Sequence, residues 1–392
     1  MSNRLGLAAI ILLLIAIGIW AILPKHRSSS QSVDEAPATE IPVHASQVPG
    51  AFAAVKSVET PHAWTRPPAK VAARNSRRAN FSLLREFGAS EKLIDRLANG
   101  DALAVIKELK QQAQGGDPSA ANILGYMVYR TCALAGVNGE GSPSQVRQLV
   151  DAQALSGEDS EWIRAAIQER NLYNTQLLAA CQQTVDKKEI EAWVTSSADK
   201  GSSASLWLLS HFGSNLSSAF KQQKLQEAVD GGYPEAQAWM AQELTNTGAN
   251  LPPSQTVGAE NLFKQAAESL PYAESLLAVC EFRGCPGIAV DISAAVAHAR
   301  EAAQRGNLDA MNQIGPQLQA SPIDPNEAAA WNLVGAMLVQ QGCSYGAMTV
   351  QWMTSTSNTL TLKGISDKAK SLAEQYWRDY RAQMMGNIGC TP

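Results

Sequence analysis

The sequence predicts an all-α chain: helix-hairpin repeats stacked as an α-solenoid, preceded by one N-terminal transmembrane helix. Three observations predict it. Apolar residues recur at three-and-four spacing from Phe81 onward, and no stretch of comparable length alternates with a period of two. Five segments align without gaps around one turn pattern. The chain opens with an apolar run, Leu5 to Leu23, that contains no charge. With 392 residues, 45% of them hydrophobic, the chain can form one large helical array or two ordinary domains. A net charge of -4 gives no field that would mark a nucleic-acid binder.

The transmembrane element is LGLAAIILLLIAIGIWAIL. At 1.5 Å per residue the run spans about 28 Å, close to the hydrocarbon thickness of a bilayer. Trp20 stands near one end, as an interfacial aromatic would. A cleaved signal peptide is the rival reading. However, the run ends in Pro24-Lys25-His26-Arg27, a poor cleavage site, and Ala36-Pro37-Ala38 lies far downstream. Residues 1–27 are therefore read as an anchor with its flanks. Arg4 precedes the span while Lys25 and Arg27 follow it, so charge alone does not place the bulk outside. An even set of six cysteines argues for an oxidising compartment. The expectation is a single-pass protein of the inner (plasma) membrane with its soluble part periplasmic or otherwise extracytoplasmic.

Residues 28–79 read as a disordered tether rich in Pro, Ser and Ala, without helical apolar spacing. As a flexible coil its ends would lie about 40 Å apart. Its second half is basic, with Arg66, Lys70, Arg74, Arg77 and Arg78. That pattern suits a contact with lipid head groups or an acidic polymer, and equally a solvated arm leading into the first helix. Residues 80–190 are expected to form an irregular helical region with one repeat-like hairpin. Residues 191–392 should hold the regular repeats and a C-terminal helix, the latter opened by Ser366 as N-cap.

The aligned segments begin at Leu109, Val194, Leu225, Leu262 and Ala299, with turn residues Gly116, Gly201, Gly232, Ser269 and Gly306. Proline follows two residues later in three copies, Pro118, Pro234 and Pro271. Four residues after the turn all are small: Ala120, Ser205, Ala236, Ala273 and Ala310. Eight after, all are large and apolar, and nine after, small again. Glycine ends a helix because a C-terminal cap often needs positive φ. Proline opens the next, where its missing N–H would have been unpaired anyway. Small residues let backbones approach, and the large one fills the groove between them. One hairpin cannot bury its apolar face alone, so neighbours must stack. A degenerate sixth copy is expected at Gly342, with Gly346 and Val350 in register.

Glu191-Ala192-Trp193 with Gly201, Ala302-Ala303 with Gly306 and Ala310, and Leu124-Gly125 together carry a resemblance to the Sel-like repeats, relatives of the tetratricopeptide repeats. It covers about half the chain, mainly residues 191–318. Ser269 stands where that pattern has glycine. The resemblance implies a solenoid that binds proteins on its concave face, with no catalysis and no cofactor. Among bacterial members it implies an adaptor or scaffold in the cell envelope, or alternatively a periplasmic immunity protein that neutralises a secreted toxic effector. The partner expected is a protein, not a nucleic acid or a small-molecule substrate.

Catalytic motifs are absent from the sequence: it holds no Walker loop, GxSxG elbow or HExxH. No catalytic, cofactor or metal residue is therefore assigned. Three of the five histidines lie before residue 63, and His298 falls on a repeat helix, where a structural role is expected. Carboxylate pairs such as Glu189/Glu191 read as a solvated face. Cys280 and Cys285 read as a disulfide closing the Arg283-Gly284 turn, with two inert thiols as the alternative; as half of a zinc site they lack a second pair or nearby His to complete four ligands. Cys132 with Cys181 and Cys343 with Cys390 could also pair, and six cysteines allow 15 connectivities.

Overall fold

Helices occupy the chain where the apolar spacing is three-and-four. The computed structural model describes residues 66–132, 157–184, 186–212, 216–247, 258–314, 324–343 and 364–390. Among these there is no strand. The first helices are α1 (Ala69–Ser82), α2 (Glu91–Ala98), α3 (Ala102–Gln114) and α4 (Pro118–Tyr126), the last prolonged by a π-helical turn, Met127–Cys132. Then come α5 (Gly157–Thr184), α6 (Lys187–Asp199), α7 (Ser203–Phe212), α8 (Ser218–Asp230) and α9 (Pro234–Thr247). The series ends with α10 (Ala259–Ala267), α11 (Pro271–Arg283), α12 (Ile292–Gln304), α13 (Leu308–Gln313), α14 (Pro325–Gln340) and α15 (Asp367–Ile388).

The boundaries have local causes. Asp117, Asp186, Ser217, Asp291, Asn307, Asp324 and Ser366 each cap a helix by accepting backbone N–H bonds. Each such cap stabilises its helix by about 1 kcal/mol. Pro118, Pro234 and Pro271 are the first residues of α4, α9 and α11. At the turns, Gly116, Gly201, Gly232 and Gly306 have φ of 91°, 89°, 73° and 95°. Gly201 shows the common pattern: its N–H reaches Ala198 O at 2.8 Å and Ser202 N–H reaches Ser197 O at 3.2 Å. These two hydrogen bonds satisfy carbonyls the helix end would otherwise leave bare. Gly342 repeats it with φ 80°, while Gly346 and Val350 lie outside the described residues. The Ser269 turn differs. Both Ser269 N–H and Leu270 N–H go to Ala266 O, so the wider bond is not made.

The small positions sit where backbones meet. Ala120, Ser205, Ala236, Ala273 and Ala310 are all buried. A Cβ on Gly125 would lie 2.9 Å from Val194 Cγ2, so glycine there sets how closely α4 approaches α6. From α6 onward each helix packs on the next in the chain, the nearest-neighbour pattern of a solenoid. α5 interrupts the order, lying against α1 and α3.

One continuous core spans residue 190, with Leu109 and Leu124 before it and Val194, Trp207 and Leu225 after it. Among the described residues the first helix spans Ala69–Ser82, so residues 69–79, expected in the tether, are helix α1. Alanine spacing hid this helix: its buried face is Ala72, Ala73, Ala79 and Phe81, with polar Asn75, Ser76, Arg78 and Ser82 buried alongside. The arginines expected to face lipid or solvent are used inside the molecule. Arg66 pairs with Asp159 and lies over the Trp162 ring. Arg74 donates to Asn99 Oδ1 at 2.7 Å, and Arg77 donates to Ala98 O at 2.8 Å and lies over Tyr173. Lys70 is exposed. The span at residues 5–23 lies outside the described residues, and no described helix is long and apolar enough to cross a membrane.

Candidate binding site

Aromatic side chains are few in this chain, yet many converge between the ends of α4, α7 and α9. The π turn after α4 carries Tyr129 and Arg130, a geometry that recurs at functional sites. Trp207 and His211 stand on α7 one turn apart, so they share a face, and Phe212 follows at the end of the helix. Tyr233 precedes α9 and Trp239 lies on it. Phe87, from the 3₁₀ turn after α1, forms the floor: its ring centroid is 4.9 Å from Tyr126, 6.2 Å from Trp207 and 6.4 Å from Tyr233. Trp207 stacks on His211 at 4.8 Å, and Trp239 meets His211 edge-on at 4.4 Å. Tyr129 stacks on Phe212 at 5.5 Å. Trp239 forms the rim and is 42% exposed, one of few large apolar side chains left in solvent.

Polar atoms in this cluster lack partners. Tyr129 Oη, Trp207 Nε1, His211 Nε2 and Tyr233 Oη are all buried and make no hydrogen bond. Each such atom costs about 1–3 kcal/mol unless water or a ligand reaches it. The His211 proton can be placed. The Ser210 hydroxyl donates its one hydrogen to Trp207 O at 2.7 Å, so His211 Nδ1, 3.0 Å from Ser210 Oγ, is the donor of that pair. Burial pushes the imidazole down to about 4, so the ring is neutral near pH 7 and Nε2 is a bare acceptor. Trp207 Nε1–H is a bare donor. Beside them, Tyr272 on α11 donates to Glu235 Oε2 at 2.5 Å, and burial raises the Glu235 carboxyl. Burial also raises Tyr129, to about 12, and raises Tyr233. These phenols stay protonated at neutral pH, so each keeps a donor to offer.

Residues singled out in the sequence lie elsewhere. The turn residues Gly116, Gly201, Gly232, Ser269 and Gly306 shape hairpins and hold no chemistry. Cys280 and Cys285 form a disulfide with Cα atoms 4.8 Å apart, closing the turn at Gly284, whose φ is 74°. Cys132–Cys181 and Cys343–Cys390 are also bonded. Among the described residues no group of three His, Cys, Asp or Glu is placed to hold a metal ion. Glu189 is not paired with Glu191; it joins Lys110 at 2.7 Å and Gln114 at 3.2 Å across to α3. His298 bridges two buried carboxylates of α11: Nδ1 is 2.8 Å from Glu274 Oε1 and Nε2 is 3.5 Å from Glu281 Oε1. The hydrogen bond that His298 donates to Glu274 raises the His298 pKa, and Arg305 adds a second cation 3.2 Å from Glu274. This is a joint between α11 and α12.

Sequence reasoning missed the aromatic cluster because its members occupy different offsets from their turns. One signal was available: Tyr126 and His211 both stand ten residues after the turn glycine.

No family model matches the sequence, and no curated protein matches it. Among solved structures the chain is similar to the crystal structure of a Sel1 repeat protein from Oxalobacter formigenes. The two are 19% identical, and the match covers 70% of this chain and 93% of that one, with a TM-score of 0.35. The resemblance to Sel-like repeats is carried by this chain's own turns and stacked hairpins.

Proposed function

We propose that this chain is a membrane-anchored helical-repeat protein that binds another protein in the cell envelope, as an adaptor or scaffold. In this reading residues 5–23 are the anchor and the repeats lie outside the cytoplasm. The observation that carries the binding role is the set of unpartnered polar atoms behind an exposed tryptophan. A partner segment that packs on Trp239 and turns it outward reaches the bare acceptor His211 Nε2, and behind it the bare donor Trp207 Nε1–H. Hydrogen bonds that remove an existing penalty favour binding more than bonds that merely replace water. Large aromatic anchors in such clusters carry most of the energy of an interface. The site needs no turnover.

A photo-crosslinking residue placed at position 239 of the full chain, in the cells that make it, tests the reading. The expected result is one discrete protein adduct that is absent when the probe replaces Val290, which is 60% exposed and lies on the connection between α11 and α12. Equal labelling at both positions, or none at 239, would remove the site from the account.

A further inference from the structure

α1 does more than begin the fold. One of its faces meets the C-terminal ends of α14 and α15, more than 260 residues away in sequence. Asn75 Nδ2 donates to Gln341 O at 2.9 Å, and Ser82 Oγ, with one hydrogen, lies between Ala79 O of its own helix at 2.7 Å and Ile388 O at 2.9 Å. Arg78 donates from its guanidinium to Gly389 O. These carbonyls belong to helix ends, which expose bare acceptors and partial negative charge, so a donor or a cation there is favoured. Asn75, Arg78 and Ser82 are 3%, 6% and 4% exposed, and their three-and-four spacing puts them on one face. Glu91 and Asp95 of α2 hold Arg78 from the other side, at 2.5 and 2.8 Å.

The receiving surface is a matched pair of turns. Gly342-Cys343 ends α14 and Gly389-Cys390 ends α15, with glycine φ of 80° and 85°, and the Cys343–Cys390 disulfide joins them. Both glycines are there for contact as well as for φ. A Cβ on Gly342 would stand 2.0 Å from Ala72 O, and one on Gly389 2.3 Å from Ser82 Cβ. The turns therefore fit α1 with no room to spare.

The same short segment reaches the aromatic site. α1 runs directly into the 3₁₀ turn Leu83–Phe87, and Phe87 is the floor under Tyr126, Trp207 and Tyr233. Ala79 packs in the C-terminal core, whereas Phe81 and Leu84 pack in the N-terminal one. We infer that residues 69–87 are a clasp that couples closure of the chain at the two Gly-Cys turns to the packing of the aromatic site. The inference rests on the reading of that cluster as a binding site only in its use, since the coupling is measurable without a partner. Linkage makes it reciprocal: a ligand that shifts Phe87 loosens the clasp to the same degree that loosening the clasp alters affinity.

Hydrogen exchange followed by mass spectrometry on the full chain in detergent micelles tests it. Gly342→Ala drives a methyl into Ala72 O. Gly116→Ala imposes the same left-handed strain, at φ 91°, with nothing within 4 Å, and so is the matched control. The expected result is exchange about tenfold faster or more in residues 69–82 and also in 205–212 for Gly342→Ala, with neither segment changed by Gly116→Ala. Asn75→Ala, which removes the donor to Gln341 O without changing a backbone conformation, should move both segments the same way and decides the matter if Gly342→Ala does not fold. Faster exchange confined to 69–82 would refute the coupling while leaving the clasp. Unchanged exchange in 69–82 would refute the clasp. Neither outcome bears on crosslinking at position 239, so the two readings fail separately.

Discussion

Gly201→Ala and Gly306→Ala should destabilise the chain by different amounts, and the difference tests how the hairpins are built. Both glycines hold a left-handed turn, with φ of 89° and 95°. An L-residue in that conformation costs about 1–2 kcal/mol, offset in part by the stiffer unfolded chain that alanine brings, about 0.4–1 kcal/mol. The net at Gly201, where a Cβ meets nothing within 4 Å, is about 1 kcal/mol. At Gly306 the added methyl would stand 3.0 Å from Met384 O and 3.0 Å from Ile388 Cδ1. The carbonyl belongs to α15 and cannot turn aside, so overpacking adds about 1–3 kcal/mol. Ser269→Gly gives the converse check. Leu270 N–H bonds Ala266 O at 2.9 Å there, without the wider bond of the glycine turns, so glycine brings no relief. Thermal melts of the full chain in detergent micelles, read by far-UV circular dichroism, should rank Gly306→Ala below Gly201→Ala and both below the parent. If Gly306→Ala melts at or above Gly201→Ala, the packing of α15 on the α12–α13 turn is wrong.

The two described histidines should give the stability profile opposite arms. His211 has its pKa lowered to about 4 by burial, so its contribution is complete above about pH 6.5, the ordinary value, and is lost as pH falls toward 4. His298 has its pKa raised by Glu274, so its contribution is complete below about pH 6.5 and is lost as pH climbs through the raised value. His211→Gln should flatten the acid limb of a melting-temperature profile and His298→Gln the alkaline limb; a swap of these effects would contradict the assigned environments. The disulfides should rank by the loops they close. Serine pairs at Cys132/Cys181 or Cys343/Cys390, 49 and 47 residues apart, should cost about 4 kcal/mol. A pair at Cys280/Cys285, 5 apart, should cost about 2 kcal/mol, and equal melting losses would contradict the loop-closure account. The purified full chain should not hydrolyse peptidoglycan, lipid or peptide substrates. Hydrolysis abolished by a single Glu, Asp or His substitution that leaves the melting temperature unchanged would replace the binding reading with an enzyme.

The hairpins were legible in the sequence because turn chemistry is local. Positive φ at Gly201 or Gly306 needs only the glycine and the helix before it, and proline at Pro118, Pro234 and Pro271 marks the next start. The burial of Ala120, Ser205 and Ala236 followed from the same register. The α1 helix was not legible. Its polar residues Asn75, Arg78 and Ser82 look solvated until Gln341, Ile388 and Gly389 are placed beside them, and nothing local announces a partner more than 260 residues away. The aromatic site was hidden for a related reason. Tyr129, Trp207, His211 and Tyr233 fall at unequal distances from their turns, and only the stacking of α4, α7 and α9 brings them together. The unpaired state of their polar atoms is a property of that assembly, not of any residue type.

The central claim is that an aromatic face on α7 and α9 holds a protein partner. Its most direct test is the affinity of the partner captured at position 239 for the full chain and for three variants, by titration in detergent micelles. Trp239→Ala and His211→Ala should each weaken binding by more than about 1 kcal/mol, a fivefold or greater rise in Kd. Val290→Ala should leave Kd unchanged. Binding that survives both aromatic-site truncations, or that falls equally with Val290→Ala, would contradict the account.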